Sequence, residues 1–70
     1  MCLGIPGEII EIYNKSNLKM GRVKFGEVLK EVCLRFTPEA KIGDYVIVHT
    51  GFALSILDKR EADKIFKALE

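Results

Sequence analysis

Cys2, Cys33 and His49 are the side chains of this sequence whose chemistry goes beyond packing and solvation. A thiolate is a nucleophile and a soft metal ligand, and an imidazole is a metal ligand and proton carrier. Cys2 lies in Met1-Cys2-Leu3-Gly4-Ile5-Pro6-Gly7, ahead of every segment that reads as a strand. A side chain as small as cysteine in second place favours removal of Met1, which puts the α-amino group beside the thiol. A neighbouring ammonium favours the thiolate. The amine nitrogen and the sulfur can close a chelate ring on one metal. Gly4 and Gly7 permit backbone angles that other residues avoid, and Pro6 fixes one angle between them. Residues 1–7 therefore read as a short arm with defined bends and a thiol at its tip. Such an arm reaches at most ~20 Å when extended. His49 ends the run Tyr45-Val46-Ile47-Val48 and precedes Thr50-Gly51, which places it at the rim of a sheet. Cys33 falls mid-strand between Glu31 and Arg35 and reads as half-exposed and structural. Two cysteines and one histidine fall short of the four ligands of a closed zinc site, and there is no Cys-x-x-Cys.

Five strands must position these residues. Ile9 to Tyr13 is β-branched and aromatic, and Asn14-Lys15-Ser16-Asn17 is a turn cluster. Met20 to Phe25 follows, with Val23 and Phe25 on one face and Arg22 and Lys24 on the other. Gly26-Glu27 signals a tight turn. Val28, Val32, Leu34 and Phe36 then alternate with Leu29, Glu31, Cys33 and Arg35, a period of two. Lys30 interrupts the apolar face where a long side chain can escape to solvent. Thr37-Pro38 ends that run, and Lys41-Ile42-Gly43-Asp44 turns the chain into Tyr45 to His49. Thr50-Gly51 leads into Phe52 to Leu57. Phe25, Phe36, Phe52 and Phe66 fall at core-like positions. Five strands on short loops favour closure into a barrel, which removes exposed edges. The expected fold is mainly β: a small OB-like five-stranded barrel over residues 8–57.

The period then changes. Asp58 caps a helix, with Glu61 three residues on in the capping-box position. Ala62, Ile65, Phe66 and Leu69 make one apolar stripe at i, i+3, i+4, i+7. Residues 58–70 are expected to form a C-terminal α-helix docked on the barrel, and the 70 residues to form one domain.

Composition narrows the function. Eleven Lys and Arg against ten Asp and Glu leave a net charge of +1. That is not the basic footprint of a phosphate-backbone binder. No apolar run approaches the ~18–20 residues that span a bilayer, and no signal peptide opens the chain, so a cytoplasmic protein with reduced thiols is expected. A chain of this length buries a thin core, which leaves no room for a deep catalytic cleft. Any chemistry must therefore sit on the surface or be shared with a partner, and the chain is not expected to be an enzyme. An RNA-binding OB-like barrel is the alternative; near-zero charge and core-placed rings argue against it. A thiol enzyme with Cys2 as nucleophile and His49 as base lacks an orienting third residue.

Two segments carry a family resemblance. Met1-Cys2-Leu3-Gly4-Ile5-Pro6-Gly7 with Glu8-Ile9 resembles the amino-terminal signature of the HypC/HupF/HybG hydrogenase maturation chaperones. Gly43-Asp44-Tyr45-Val46-Ile47-Val48-His49-Thr50-Gly51-Phe52-Ala53 resembles their second signature, with Thr50 where a small apolar residue is commoner. The resemblance runs over essentially the whole chain. It implies a chaperone that binds a HypD-type iron–sulfur scaffold protein and escorts iron, as an Fe(CN)2CO centre, to the [NiFe]-hydrogenase large-subunit precursor. It implies that Cys2 holds the iron, with His49 near the same site. Leu3, Gly4, Ile5, Pro6 and Gly7 of the first signature, and Gly51 and Phe52 of the second, are expected to meet the partner. The fold it implies, a small OB-like barrel with a carboxy-terminal helix, agrees with the strand and helix reading.

Overall fold

The computed structural model describes residues 5–69. Five strands run in the order β1 (Pro6–Lys15), β2 (Leu18–Phe25), β3 (Val28–Cys33), β4 (Tyr45–His49) and β5 (Phe52–Leu57), followed by helix α1 (Lys59–Leu69). They close into a barrel in the spatial order β1-β2-β3-β5-β4. All neighbours are antiparallel except β3 and β5, which meet in parallel at a single pair, Cys33 and Phe52.

Three tight turns make this closure local. Lys15 pairs with Leu18 across Ser16 and Asn17, both in the left-handed region. Phe25 pairs with Val28 across Gly26-Glu27, with Gly26 at φ 62°. His49 pairs with Phe52 across Thr50-Gly51. Two-residue connections with positive φ match the twist of the strands that they join.

Two bulges explain where strict alternation fails. The β1–β2 register shifts between Ile9 and Glu11, so Ile10 is an extra residue and turns outward. Ile9 is buried as a result, and Ile12 packs on the core as well. The β4–β5 register shifts between Ile47 and Val48, which leaves Leu54 as the extra, exposed residue of β5. The core consists of Ile9, Val23, Val32, Leu34, Ala40, Val46 and Ala53.

Four expectations are corrected here. The arm is shorter than residues 1–7, because β1 begins at Pro6 and both Pro6 and Gly7 are buried. Gly7 is required for space and not for an unusual backbone: a Cβ there would meet Val23 Cγ1 at 2.4 Å. The third strand stops at Cys33, because Leu34 turns inward and donates its N–H to the Lys19 carbonyl. Phe36 consequently leaves the core and is 58% exposed, and it packs on the half-exposed ring of Phe52 with centroids 5.4 Å apart. Fully core-like positions for these two rings are therefore wrong. Lys30 does reach solvent, as its place in the strand suggested.

The helix starts on a reciprocal cap. Glu61 N–H donates to Asp58 Oδ1 at 2.8 Å, and Asp58 N–H donates to Glu61 Oε1 at 3.2 Å. Ala62 is buried, and Phe66 lies edge-on to Tyr45 with centroids 6.0 Å apart. Ala62 and Phe66 of the α1 stripe thus dock on the chain's own barrel.

Candidate functional site

His49 is the last residue of β4 and is exposed. It is held at the rim by the turn that follows. Thr50 at φ 52° and Gly51 at φ 87° are both left-handed, which is the I′ geometry. Glycine adopts this backbone freely, but a β-branched threonine does so rarely. Thr50 Oγ1 donates to the His49 carbonyl at 2.7 Å. The turn is tied from the other side by Cys33, whose N–H donates to the Gly51 carbonyl at 2.8 Å. The barrel's closing pair thus sits directly behind the histidine.

Cys33 departs from its expectation. It is 8% exposed and not half-exposed, and it lies at the closure of the barrel and not mid-strand. The cause is the stagger of the barrel: β5 begins beside the last residue of β3, so the end of β3 is covered while its beginning is not.

Cys2, Leu3 and Gly4 lie outside the described residues. The strand that they precede has a definite address. Pro6 pairs with Ile47, Gly7 with Val46 and Glu8 with Tyr45. This antiparallel register runs toward the chain start on β1 and toward His49 on β4. Ile5, the first described residue, is exposed one position beyond the Pro6–Ile47 pair. The structure therefore brings Ile5, His49, Gly51 and Phe52 to one rim. It places Pro6 and Gly7 inside the wall of the barrel. Among the described residues no group of three His, Cys, Asp or Glu side chains converges as a metal site. Among the described residues, His49 is the one candidate ligand exposed at this rim.

An open groove of about 590 Å³ adjoins the same turn. Phe25, Val28, Lys30, Val32, Val48 and Thr50 line it. Strand-by-strand reading did not anticipate it, because it arises from the stagger between β3 and β5. Its one signal in the sequence was Lys30, a charge on an otherwise apolar face.

No helix among the described residues is long and apolar enough to cross a membrane. Comparison with known proteins then gives the wider context. The family model of the HupF/HypC family matches residues 1–69. A hydrogenase maturation factor HypC from Synechocystis sp. is 46% identical over 66 residues, covering 91% of this chain and 87% of that protein. A hydrogenase maturation factor HypC from Cupriavidus necator is 36% identical, covering 96% of this chain and 71% of that protein. Hydrogenase maturation factor HybG of Escherichia coli is 32% identical over 73 residues, with 99% and 88% covered. With both signatures inside the matched region and the barrel built as the resemblance implied, the chain belongs to the HupF/HypC family.

Proposed function

We propose that this chain is a [NiFe]-hydrogenase maturation chaperone that acts in the cytoplasm as a carrier and not as an enzyme. It docks on a HypD-type iron–sulfur scaffold protein, takes up an Fe(CN)2CO centre as cargo, and delivers it to the hydrogenase large-subunit precursor. Membership of the HupF/HypC family and the names of its relatives support the general role. The observation that carries the mechanism is the β1–β4 register, which directs the chain start toward the rim that holds His49. Cys2 stands three residues before Ile5, a span of at most about 10 Å. A thiolate on such a tether lies within reach of the His49 imidazole.

The chemistry suits a carrier. Iron bearing strong-field diatomic ligands is soft, and thiolate is the soft protein ligand. One thiolate with one imidazole leaves positions for the partner to share, so cargo can be passed on. Ile5, Gly51 and Phe52, together with Leu3 and Gly4, provide contact surface around the two ligands. Pro6 and Gly7 act by anchoring the arm in the barrel wall, since both are buried.

Cys2→Ala tests this reading. The variant should keep the far-ultraviolet circular dichroism of the parent and its stability within about 0.5 kcal/mol, because the change precedes every strand. Material co-purified with the scaffold protein should lose the infrared bands of iron-bound cyanide and carbon monoxide, and hydrogenase maturation should stop. His49→Ala should weaken both readouts less. Full maturation by Cys2→Ala would overturn the thiolate-carrier mechanism.

A further inference from the structure

β3 is a wall of the barrel at one end and an open edge at the other. Its inner side pairs with β2 along the whole strand, from Phe25–Val28 to Met20–Cys33. Its other side pairs with β5 only at Cys33. In an antiparallel ladder, alternate residues turn their N–H and C=O groups toward the partner and away from it. The tight turn at Gly26-Glu27 makes Phe25–Val28 a hydrogen-bonded pair, so Val28, Lys30 and Val32 face β2. Leu29, Glu31 and Cys33 then point outward. The Cys33 N–H obeys this phase, since it donates to the Gly51 carbonyl. Leu29 and Glu31 carry the next two outward rungs of the same row. No strand of the described residues pairs with them there.

The groove described above lies beside these rungs. It is the strip of inner β3 surface that β5 would cover if it began earlier. Its lining is mostly apolar, from Phe25, Val28, Val32 and Val48, with the charged Lys30 and Glu31 beside them, and the Glu31 carboxylate is already engaged by Tyr13 and Lys15. Lys30 has no ion-pair partner among the described residues. A free strand edge above an apolar strip is the arrangement used for recognition by strand addition. Backbone hydrogen bonds supply affinity there, and alternate side chains supply specificity.

We propose that the Leu29–Glu31 edge of β3 receives an extended segment of a partner protein. The segment adds a short strand, lays an apolar side chain on the groove floor and sets an acidic side chain beside Lys30. The incoming strand lies next to the Thr50-Gly51 turn, so it holds the partner against the rim that carries His49. This inference rests on the carrier function proposed above and names the contact by which the partner is gripped.

Amide hydrogen exchange on the full chain tests the edge directly. The ¹⁵N-labelled protein is measured alone, with the scaffold protein, and with the large-subunit precursor. The Leu29 and Glu31 amides should exchange freely in the isolated chain and slow at least tenfold in one of the two complexes. Leu29→Pro removes one outward N–H without touching the β2 pairing, and Leu29→Ala keeps it. Leu29→Pro should bind about tenfold more weakly than Leu29→Ala, the size of one good hydrogen bond. If complex formation is seen but neither amide slows in any complex that forms, the strand addition is overturned and the carrier function stands. If the amides are already protected in the free chain, its own first residues or a second copy cover the edge, and the proposal is likewise overturned. If the wild-type chain binds neither protein, the carrier function falls and this inference falls with it.

Discussion

A methyl group built on Gly7 would lie 2.4 Å from Val23 Cγ1 and 2.5 Å from Phe25 Cε1. Val23 is fully buried and cannot retreat. Gly7→Ala is therefore expected to lower stability by about 1–3 kcal/mol through overpacking, read from urea unfolding. Gly51 is the opposite case. A Cβ there meets no atom within 4 Å, but φ is +87°. Gly51→Val should cost about 1–2 kcal/mol through the backbone alone. It should also weaken binding to the scaffold protein, because the same turn orients His49 and Phe52. Stability and binding both unchanged would refute the turn's role. The two glycines look alike in sequence, yet one is needed for space and the other for conformation.

At the scale of elements, α1 depends on its first turn. The reciprocal hydrogen bonds of Asp58 and Glu61 satisfy two N–H groups that a helix start leaves without partners. An isolated helix of eleven residues is marginal in water, so the cap and the Ala62–Phe66 stripe must act together. Asp58→Ala should cost about 1 kcal/mol, seen as a lower thermal midpoint with loss of helical ellipticity before the barrel unfolds. A single, unshifted transition would show that the cap contributes nothing. The β-bulges act at this scale as well. By absorbing Ile10 and Leu54 they keep Ile9, Ile12 and Ala53 on the inner side of a strongly curved sheet.

For the molecule as a whole, two tyrosines link the fold to pH. Burial raises the Tyr45 phenol above its ordinary value of 10.0, helped by the charges of Glu8 and Asp63. The Tyr13 phenol is raised mainly by its hydrogen bond to the Glu31 carboxylate, and that bond lowers Glu31 in turn. Below the ordinary phenol value both folded and unfolded chains are protonated, and the contribution is fully present. As pH rises past that value the unfolded chain ionises first, so stability falls until the raised folded values are passed. Urea midpoints should therefore decline from about pH 9 upward. Tyr45→Phe should flatten the decline, and an identical slope in that variant would contradict it. On the acid side, the Glu31 contribution is lost as pH falls through its lowered folded value.

Local chemistry is what the residue order decided unaided. The turns at Gly26-Glu27 and Thr50-Gly51, the Asp58–Glu61 cap, the helix stripe, and the five strands are all short-range consequences of side-chain size, backbone preference and periodicity. The two signatures were equally legible, because they are contiguous. Bulges, stagger and closure were not, because each depends on which strands meet. Ile10 and Leu54 look like ordinary strand residues until a partner strand skips them. Cys33 shares its strand face in sequence with the exposed Glu31 and Arg35, yet it is buried because β5 begins beside it. Phe36 has the right period for the core, yet Leu34 takes the last inward place and turns the chain away. The open edge of β3 has the same origin: one parallel pair closes the barrel, and five residues of β3 remain beyond its reach.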